Sequence, residues 1–197
     1  AGVHLNGNED LFNPYLFPRV EAFSVRRPDL HHTADGLFAS ENDEMPGGFP
    51  ELVHLDRVYC LNQERWQRAF RWMTERGQLL FVVSHDWSRC YIPEMEWLVG
   101  YLQSEGYPVD LLVTDRLDEL SIDSRGVSYR GTPVGTIWRQ FPIFETKGKL
   151  ADLVFAAYAE LVRMILEFAH FGNKAWFSLF RSHNHFFRKA LQPEVYD

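Results

Sequence analysis

The sequence predicts an α/β fold in which helices flank a mainly parallel sheet, because short apolar runs alternate with amphipathic segments. Three such runs are LLFVVS at 79–84, VDLLVTD at 109–115 and GTIWRQF at 135–141. Short and continuous apolar runs are typical of strands that are covered on both faces. A helical pattern separates the first two runs, with Pro93 in its first turn and Gly106 at its end. A right-handed β–α–β unit is therefore expected.

The remaining elements of this unit follow from turn residues and from periodicity. Residues 120–131 (LSIDSRGVSYRG) are predicted to form an exposed hairpin that turns at Arg125-Gly126. A long buried amphipathic helix is expected around residues 150–168, because four charged residues interrupt an otherwise apolar stretch. The alternation of strands and helices predicts a small Rossmann-like unit over 78–171, preceded by a hairpin and two helices in 1–77.

Composition narrows the function classes. The 197 residues carry a net charge of -7, which argues against a nucleic-acid-binding surface. The charged residues within the longest apolar stretch argue against a membrane span. Two cysteines are too few for a disulfide framework, so a reducing cytoplasm is the expected location. The histidines and cysteines lack the short spacings of zinc sites, and neither standard glycine-rich nucleotide loop is present.

The stretch from Arg27 to Gly48 is the densest in candidate site residues. Residues 23–30 and 37–41 are predicted to pair as a hairpin across a tight Ala-Asp-Gly turn. Such pairing would bring Asp29 close to the Glu-Asn-Asp-Glu cluster that begins at Glu41. Carboxylates that converge beside an arginine are suited to holding Mg²⁺ against phosphate oxygens. The alternative is a polar hairpin with a solvated acidic tip.

Two further places hold candidate residues. The segment that follows the first buried strand contains His85 and Ser88, and ligands of α/β sheets bind at the carboxyl ends of strands. We therefore predict that both residues contact substrate, with an ordinary polar loop as the alternative. Lys174 stands at the expected start of a helix, where its ammonium group and free backbone N–H groups would attract phosphate.

In their order along the chain, these motifs resemble the first half of a circularly permuted ATP-grasp ligase of the glutathionylspermidine-synthase type. In that family an Arg-x-Asp strand precedes Glu-x-Asn, a Pro-Gly or Pro-Thr turn, a Rossmann-like pre-ATP-grasp unit, and an Asn-Lys pair that opens a helix. The matching segments are Arg27-Pro28-Asp29, Glu41-Asn42-Asp43, Pro46-Gly47-Gly48, the α/β unit and Asn173-Lys174. The resemblance covers nearly the whole chain.

The resemblance implies a role for each matched residue. Asp29 and Glu41 match the Mg²⁺-binding carboxylates, and Arg27 matches an arginine near the transferred phosphoryl group. Lys174 matches a lysine that binds ATP at the start of the nucleotide-binding half. The stretch YRGTPVGTIWRQFP is similar to the family's strand that ends in arginine, so Arg139 joins the expected substrate contacts.

The chain departs from the family pattern at one metal position. Counted from Asp29, the family's asparagine falls on Asp43, whereas the actual asparagine is Asn42. Strand alternation sends Glu41 and Asp43 to one face and Asn42 to the other, so both cannot serve one site without a bulge. We favour Asp43, because a third carboxylate still binds Mg²⁺, and Asn42 stays a candidate.

A second departure concerns length. Only 197 − 174 = 23 residues follow Lys174, whereas such ligases need a lid and a further lysine beyond it. Residues 172–197 are thus expected to begin a nucleotide-binding half whose remainder is missing, and this chain alone is expected to be inactive. The family reading implies an ATP-dependent ligase that joins the carboxylate of a small molecule or peptide to an amine through an acyl phosphate. The alternative is a non-catalytic binding module that retains the fold.

Overall fold

The computed structural model describes residues 27–34, 36–43, 47–61, 63–142 and 146–165, which fall into two compact units. One unit contains the strands β1 (Arg27–Thr33) and β2 (Gly36–Asp43). The other contains the described residues from 47 to 165. Each unit is considered by itself below.

Strands β1 and β2 pair in antiparallel register over their full length. The paired positions run from Thr33 opposite Gly36 to Arg27 opposite Asp43. The register shifts between Asp29 and Leu30, which pair with Glu41 and Ala39 respectively. One extra residue, Ser40, is thereby accommodated as a bulge, a feature that increases the local twist of a two-stranded ribbon.

The larger unit is built on an open sheet of six strands. They are β3 (Gln78–Val83), β4 (Val109–Val113), β5 (Leu120–Asp123), β6 (Gly126–Tyr129), β7 (Thr132–Gln140) and β8 (Arg163–Ile165). The order is β4-β3-β7-β6-β5, with β8 beside the second half of β7. β3 runs parallel to β4 and β7, and β7 runs parallel to β8, whereas β5, β6 and β7 are antiparallel to their neighbours. The predicted α/β class is confirmed, and the sheet is mixed.

Four helices and two 3₁₀ segments accompany the strands in the described residues. They are α1 (Phe49–Val58), α2 (Gln63–Thr74), α3 (Ile92–Ser104) and α4 (Lys149–Tyr158), with 3₁₀ segments at Arg89–Tyr91 and Thr114–Glu119. Within the described residues, none of the helices has the length and apolar character needed to cross a membrane.

The prediction of one long helix around residues 150–168 is wrong over residues 159–165. Helix α4 ends at Tyr158, and Glu160 takes a left-handed backbone conformation with φ of 58°. The chain then enters β8, where Met164 pairs with Ile137 of β7. A buried helix and a buried strand have the same apolar composition over so short a run, so the sequence pattern did not separate them. Residues 163–165 form a strand because the second half of β7 has an edge with which they pair.

The hairpin predicted over residues 120–131 is present as β5 and β6. Its one difference from expectation is burial, because Leu120, Val127 and Tyr129 are almost fully covered. These side chains join the core cluster beneath α4. Only the outward face of this hairpin is therefore exposed, as is usual for an antiparallel pair at the edge of a sheet.

The two faces of the sheet are covered by different helices. Helix α4 packs on the face that carries Leu80, Val82 and Ile137. On the opposite face, Phe49 of α1 stacks on Trp138 with 4.6 Å between ring centroids. Helix α3 packs beside α1 on that face, where the rings of His54 and Trp97 lie 4.9 Å apart. The β3–α3–β4 and β7–α4–β8 connections consequently lie on opposite faces.

Arg163 joins the edge strand β8 to the end of α2. Its Nη1 donates to the carbonyl oxygen of Trp72 at 2.9 Å, and its Nη2 donates to Glu75 Oε1 at 2.7 Å. The guanidinium carbon lies 3.9 Å from the Trp72 ring centroid. The last carbonyl groups of a helix lack partners within the helix, so a cation stacked and bonded there stabilises the C-terminus of α2.

Candidate functional site

The connections of the sheet define a crevice at the carboxyl ends of β3 and β7. The chain leaves β3 toward β4 through α3 on one face, and it leaves β7 toward β8 through α4 on the other. Neighbouring parallel strands whose connections diverge in this way leave an opening at their carboxyl ends, where α/β proteins bind ligands. The segment from Ser84 to Ser88 borders this opening.

Hydrogen bonds to both neighbouring strands hold this segment in place. Ser84 donates its backbone N–H to the carbonyl oxygen of Gln140 at 3.0 Å. His85 donates its backbone N–H to Thr114 Oγ1 at 2.9 Å, just after β4. The Ser84 hydroxyl also accepts the backbone N–H of Trp87 at 2.9 Å, which closes a local turn. The segment is therefore an ordered edge of the crevice.

The side chains that this segment presents to solvent are aromatic and polar. Trp87 is 65% exposed. His85 is partly exposed, and its Nδ1 lies 3.1 Å from Asp86 Oδ1. Together they offer an indole surface for stacking, and an imidazole whose orientation the neighbouring carboxylate favours. Ser88, in contrast, is only 1% exposed.

Arg139 is part of β7, and its side chain is buried and does not reach the protein surface. Its side chain is 1% exposed, and Nη1 donates to the carbonyl oxygen of Phe141 at 2.6 Å. By strand alternation Arg139 shares the face of Ile137 and Phe141, the face that α4 covers. Of the three predicted substrate residues, His85 is at the open edge of the crevice, whereas Ser88 and Arg139 are covered in this structure.

The register of β1 and β2 determines which predicted metal positions share a face. Asp29 stands directly opposite Glu41, and Arg27 stands directly opposite Asp43. Alternate positions of a strand share a face, so these four positions lie on one face of the ribbon. Asn42 pairs with Pro28 and occupies the other face. The bulge precedes Glu41, so it leaves Asn42 and Glu41 on opposite faces.

Side chains of β1 and β2 are outside the described set except for that of His32. Among the residues whose side chains are described, no three of His, Cys, Asp or Glu converge where a metal ion could bind. Lys174, the predicted ATP-binding lysine, lies outside the described residues.

The structure shows what the two glycines of the Pro46-Gly47-Gly48 segment contact. A Cβ on Gly47 would lie within 3 Å of the ring atoms of Tyr91, so a larger residue at this position would displace that ring. Gly48 has a left-handed φ of 71°, and its N–H donates to Glu94 Oε1 at 3.2 Å. Burial raises the pKa of Glu94, and the bond from Gly48 opposes this effect. A double glycine before a helix was the only signal in the sequence.

The chain matches no known family model, and no curated protein is significantly similar to it in sequence. Function must therefore be argued from the register of the ribbon and from the crevice.

Proposed function

We propose that the chain is part of an ATP-dependent carboxylate–amine ligase whose six-stranded sheet belongs to a Rossmann-like, pre-ATP-grasp unit. One observation carries the proposal, which is that the register of β1 and β2 aligns Arg27, Asp29, Glu41 and Asp43 on one face. The reaction class is amide formation, in which phosphoryl transfer from ATP activates a carboxylate and an amine then displaces phosphate.

The charge of the aligned face fits a divalent cation. Three acidic positions and one basic position carry −3 + 1 = −2 charges at neutral pH. Like charges on paired strands repel, so an uncompensated face of this kind destabilises the ribbon. Mg²⁺ prefers oxygen ligands and is bound through one or two carboxylates together with substrate phosphates. Asp29, Glu41 and Asp43 are thus suited to hold Mg²⁺.

Each residue then has a distinct task. Mg²⁺, when bound, would neutralise the charge on the phosphate oxygens of ATP. Arg27 would stabilise the transferred phosphoryl group, because a guanidinium matches its oxygens in charge and geometry. Lys174 would add a contact to the nucleotide phosphates. In the crevice, His85 would orient the acceptor by hydrogen bonding, while Arg139 and Ser88 would support the surrounding main chain from buried positions.

The test combines metal binding with turnover. ADP formation should be measured on the full-length ligase of which this chain is proposed to be a part, with Mg·ATP, a panel of peptide and amino-acid carboxylates, and a panel of amines that includes polyamines. Asp29→Asn should lower ADP formation about 100-fold or more, because it removes charge at the phosphoryl site. The same substitution should weaken Mg²⁺ binding in a calorimetric titration. Asp115→Asn, an exposed carboxylate after β4, is the matched control and should change neither quantity.

Two results would reject the ligase proposal. One is ADP formation in which Asp29→Asn and Asp115→Asn behave alike. The other is an absence of ADP formation together with Mg²⁺ affinity that is insensitive to Asp29→Asn. The second result favours the non-catalytic binding module, for which the exposed Trp87 at the crevice would be the natural contact.

A further inference from the structure

Helices α1, α2 and α3 enclose a pocket that is separate from the crevice and has a volume of ≈ 320 Å³. Four aromatic residues line it, two from α2 and two from α3 and the turn that follows it. They are Trp66, Phe70, Tyr101 and Tyr107. The volume lies at the lower end of the ~300–1,000 Å³ that is typical of small-molecule sites. We call this site the aromatic pocket.

The aromatic walls are fixed before any ligand binds. The rings of Trp66 and Phe70 are stacked at 6.4 Å, and Phe70 lies 6.0 Å from Tyr107. Trp66 donates its indole N–H to Asp56 Oδ2 at 2.6 Å, so the polar edge of the ring is already bonded. A second ring can therefore stack against these walls without first reorganising them, which favours binding of planar aromatic groups.

Opposite charges flank the aromatic walls. The guanidinium carbon of Arg57 lies 4.9 Å from the centroid of Tyr101, which holds this cation in place by stacking. No carboxylate among the described residues lies within ion-pair distance of Arg57. Glu105 lines the same pocket. Burial raises the pKa of Tyr101, and the charge of Glu105 raises it further while that of Arg57 lowers it, which places both charges near this ring.

From this arrangement we propose that the aromatic pocket binds a free aromatic α-amino acid. The ring of the ligand stacks within the walls, its carboxylate contacts Arg57, and its ammonium group contacts Glu105. A ligand with both charges uses both flanking residues, whereas an anion alone would face repulsion from Glu105 and a cation alone would face repulsion from Arg57. Gln63 and Gln67 offer side-chain amides for hydrogen bonds at the rim.

The experiment crosses three probes with two charge-removing variants of the 197-residue chain. Tryptophan carries both charges, indole-3-acetate carries only the carboxylate, and tryptamine carries only the ammonium group. Their dissociation constants are measured by ligand-observed NMR titration. Arg57→Gln should weaken tryptophan and indole-3-acetate ~2–5-fold each, as for an exposed ion pair, without weakening tryptamine. Glu105→Gln should weaken tryptophan and tryptamine by a similar factor without weakening indole-3-acetate.

The controls separate a specific pocket from surface binding. Arg65→Gln and Glu96→Gln remove the same charges from exposed positions on α2 and α3, so they should leave all three affinities unchanged. Gln67→Trp fills the pocket from its rim and should abolish binding of every probe, while thermal unfolding shows that the chain remains folded. The proposal is overturned if no probe binds at millimolar concentration, if both charge variants affect all probes equally, or if folded Gln67→Trp still binds.

Discussion

The two faces of the six-stranded sheet are packed in different ways. Beneath α4 the core is mostly aliphatic, with Leu80, Val82 and Leu112 meeting Leu153 and Val154, all at most 3% exposed. The other face is aromatic. There Trp138 lies between Phe49 and Phe81, at centroid distances of 4.6 and 5.8 Å.

The difference follows from the shapes and polar edges of the side chains. Aliphatic groups interdigitate and close a face completely under one helix. Indole rings need a partner for the N–H group, and Trp138 Nε1 donates to Gln140 Oε1 at 3.2 Å within the sheet. Aromatic rings also pack at preferred angles, and the ring of Phe49 lies at 77° to that of Trp66.

Three helices cover the aromatic face, and the space between them is the aromatic pocket. Ligand specificity is therefore expected on the aromatic face.

The largest expected effect comes from truncating neighbouring residues of β7 that point to opposite faces. Trp138→Ala should lower the free energy of unfolding by ~3–5 kcal/mol, and Ile137→Ala by ~2–5 kcal/mol, because both side chains are fully buried. Only Trp138→Ala removes the ring on which Phe49 stacks, and Phe49 in turn packs against Trp66 of the aromatic pocket. We therefore expect it alone to weaken tryptophan binding, measured by NMR titration alongside urea unfolding. Equal weakening by Ile137→Ala would show that the two faces do not act separately.

Much of this sheet could be predicted from the sequence because its central strands are covered on both faces. Residues 79–83 form an unbroken apolar run, and all five are fully buried. Helix α3 was marked at both ends, by Pro93 in its first turn and by Gly106 after its last. These signals are local, so no knowledge of the tertiary structure was needed.

The features that sequence reasoning missed depend on partners distant in the chain. The apolar segment at residues 163–165 becomes a strand because β7 offers it an edge. Arg139 is buried because α4 covers the face of the sheet on which it lies. A polar residue within a predicted strand does not indicate whether a helix covers it. The aromatic pocket could not be predicted for the same reason, since Arg57 and Glu105 are 48 positions apart (105 − 57) and line one pocket only because the helices pack together.

A smaller effect is expected where α2 and its following turn approach β7. A Cβ on Gly135 would lie 2.3 Å from the carbonyl oxygen of Arg76, and main chain cannot move aside as a side chain can. Gly135→Ala should therefore cost ~1–3 kcal/mol of unfolding free energy, as overpacking does. Gly100→Ala is the control, because no heavy atom lies within 4 Å of its Cβ position in α3. That change should stabilise the protein by about 0.5–1 kcal/mol. A stable Gly135→Ala protein would mean that the turn after α2 can move away from β7.

The smallest expected effect is a dependence of the unfolding free energy on pH. It arises at the N-terminus of α1, where Glu94 of α3 accepts the N–H of Gly48. Burial is the main cause that raises the pKa of Glu94 above its usual value, and repulsion from Glu51 adds to it. The folded protein thus retains this proton to a higher pH than the unfolded chain does. The contribution of Glu94 to stability is then fully present below the unfolded-state pKa and is lost as pH rises through the folded-state pKa.

Glu94→Gln removes this titration while it keeps a side-chain oxygen that can accept the Gly48 N–H. Unfolding free energies should be measured in urea across the acid range for the wild type and for Glu94→Gln. Glu119 and Asp123 have lowered pKa values, so their contributions to stability are lost as pH falls, and only differences from the wild type are informative. The stability of Glu94→Gln relative to the wild type should rise as pH rises from the unfolded-state pKa of a glutamate through the higher folded-state pKa of Glu94. A flat or falling difference for Glu94→Gln would show that the Gly48 hydrogen bond, which favours the charged carboxylate, outweighs burial at this position.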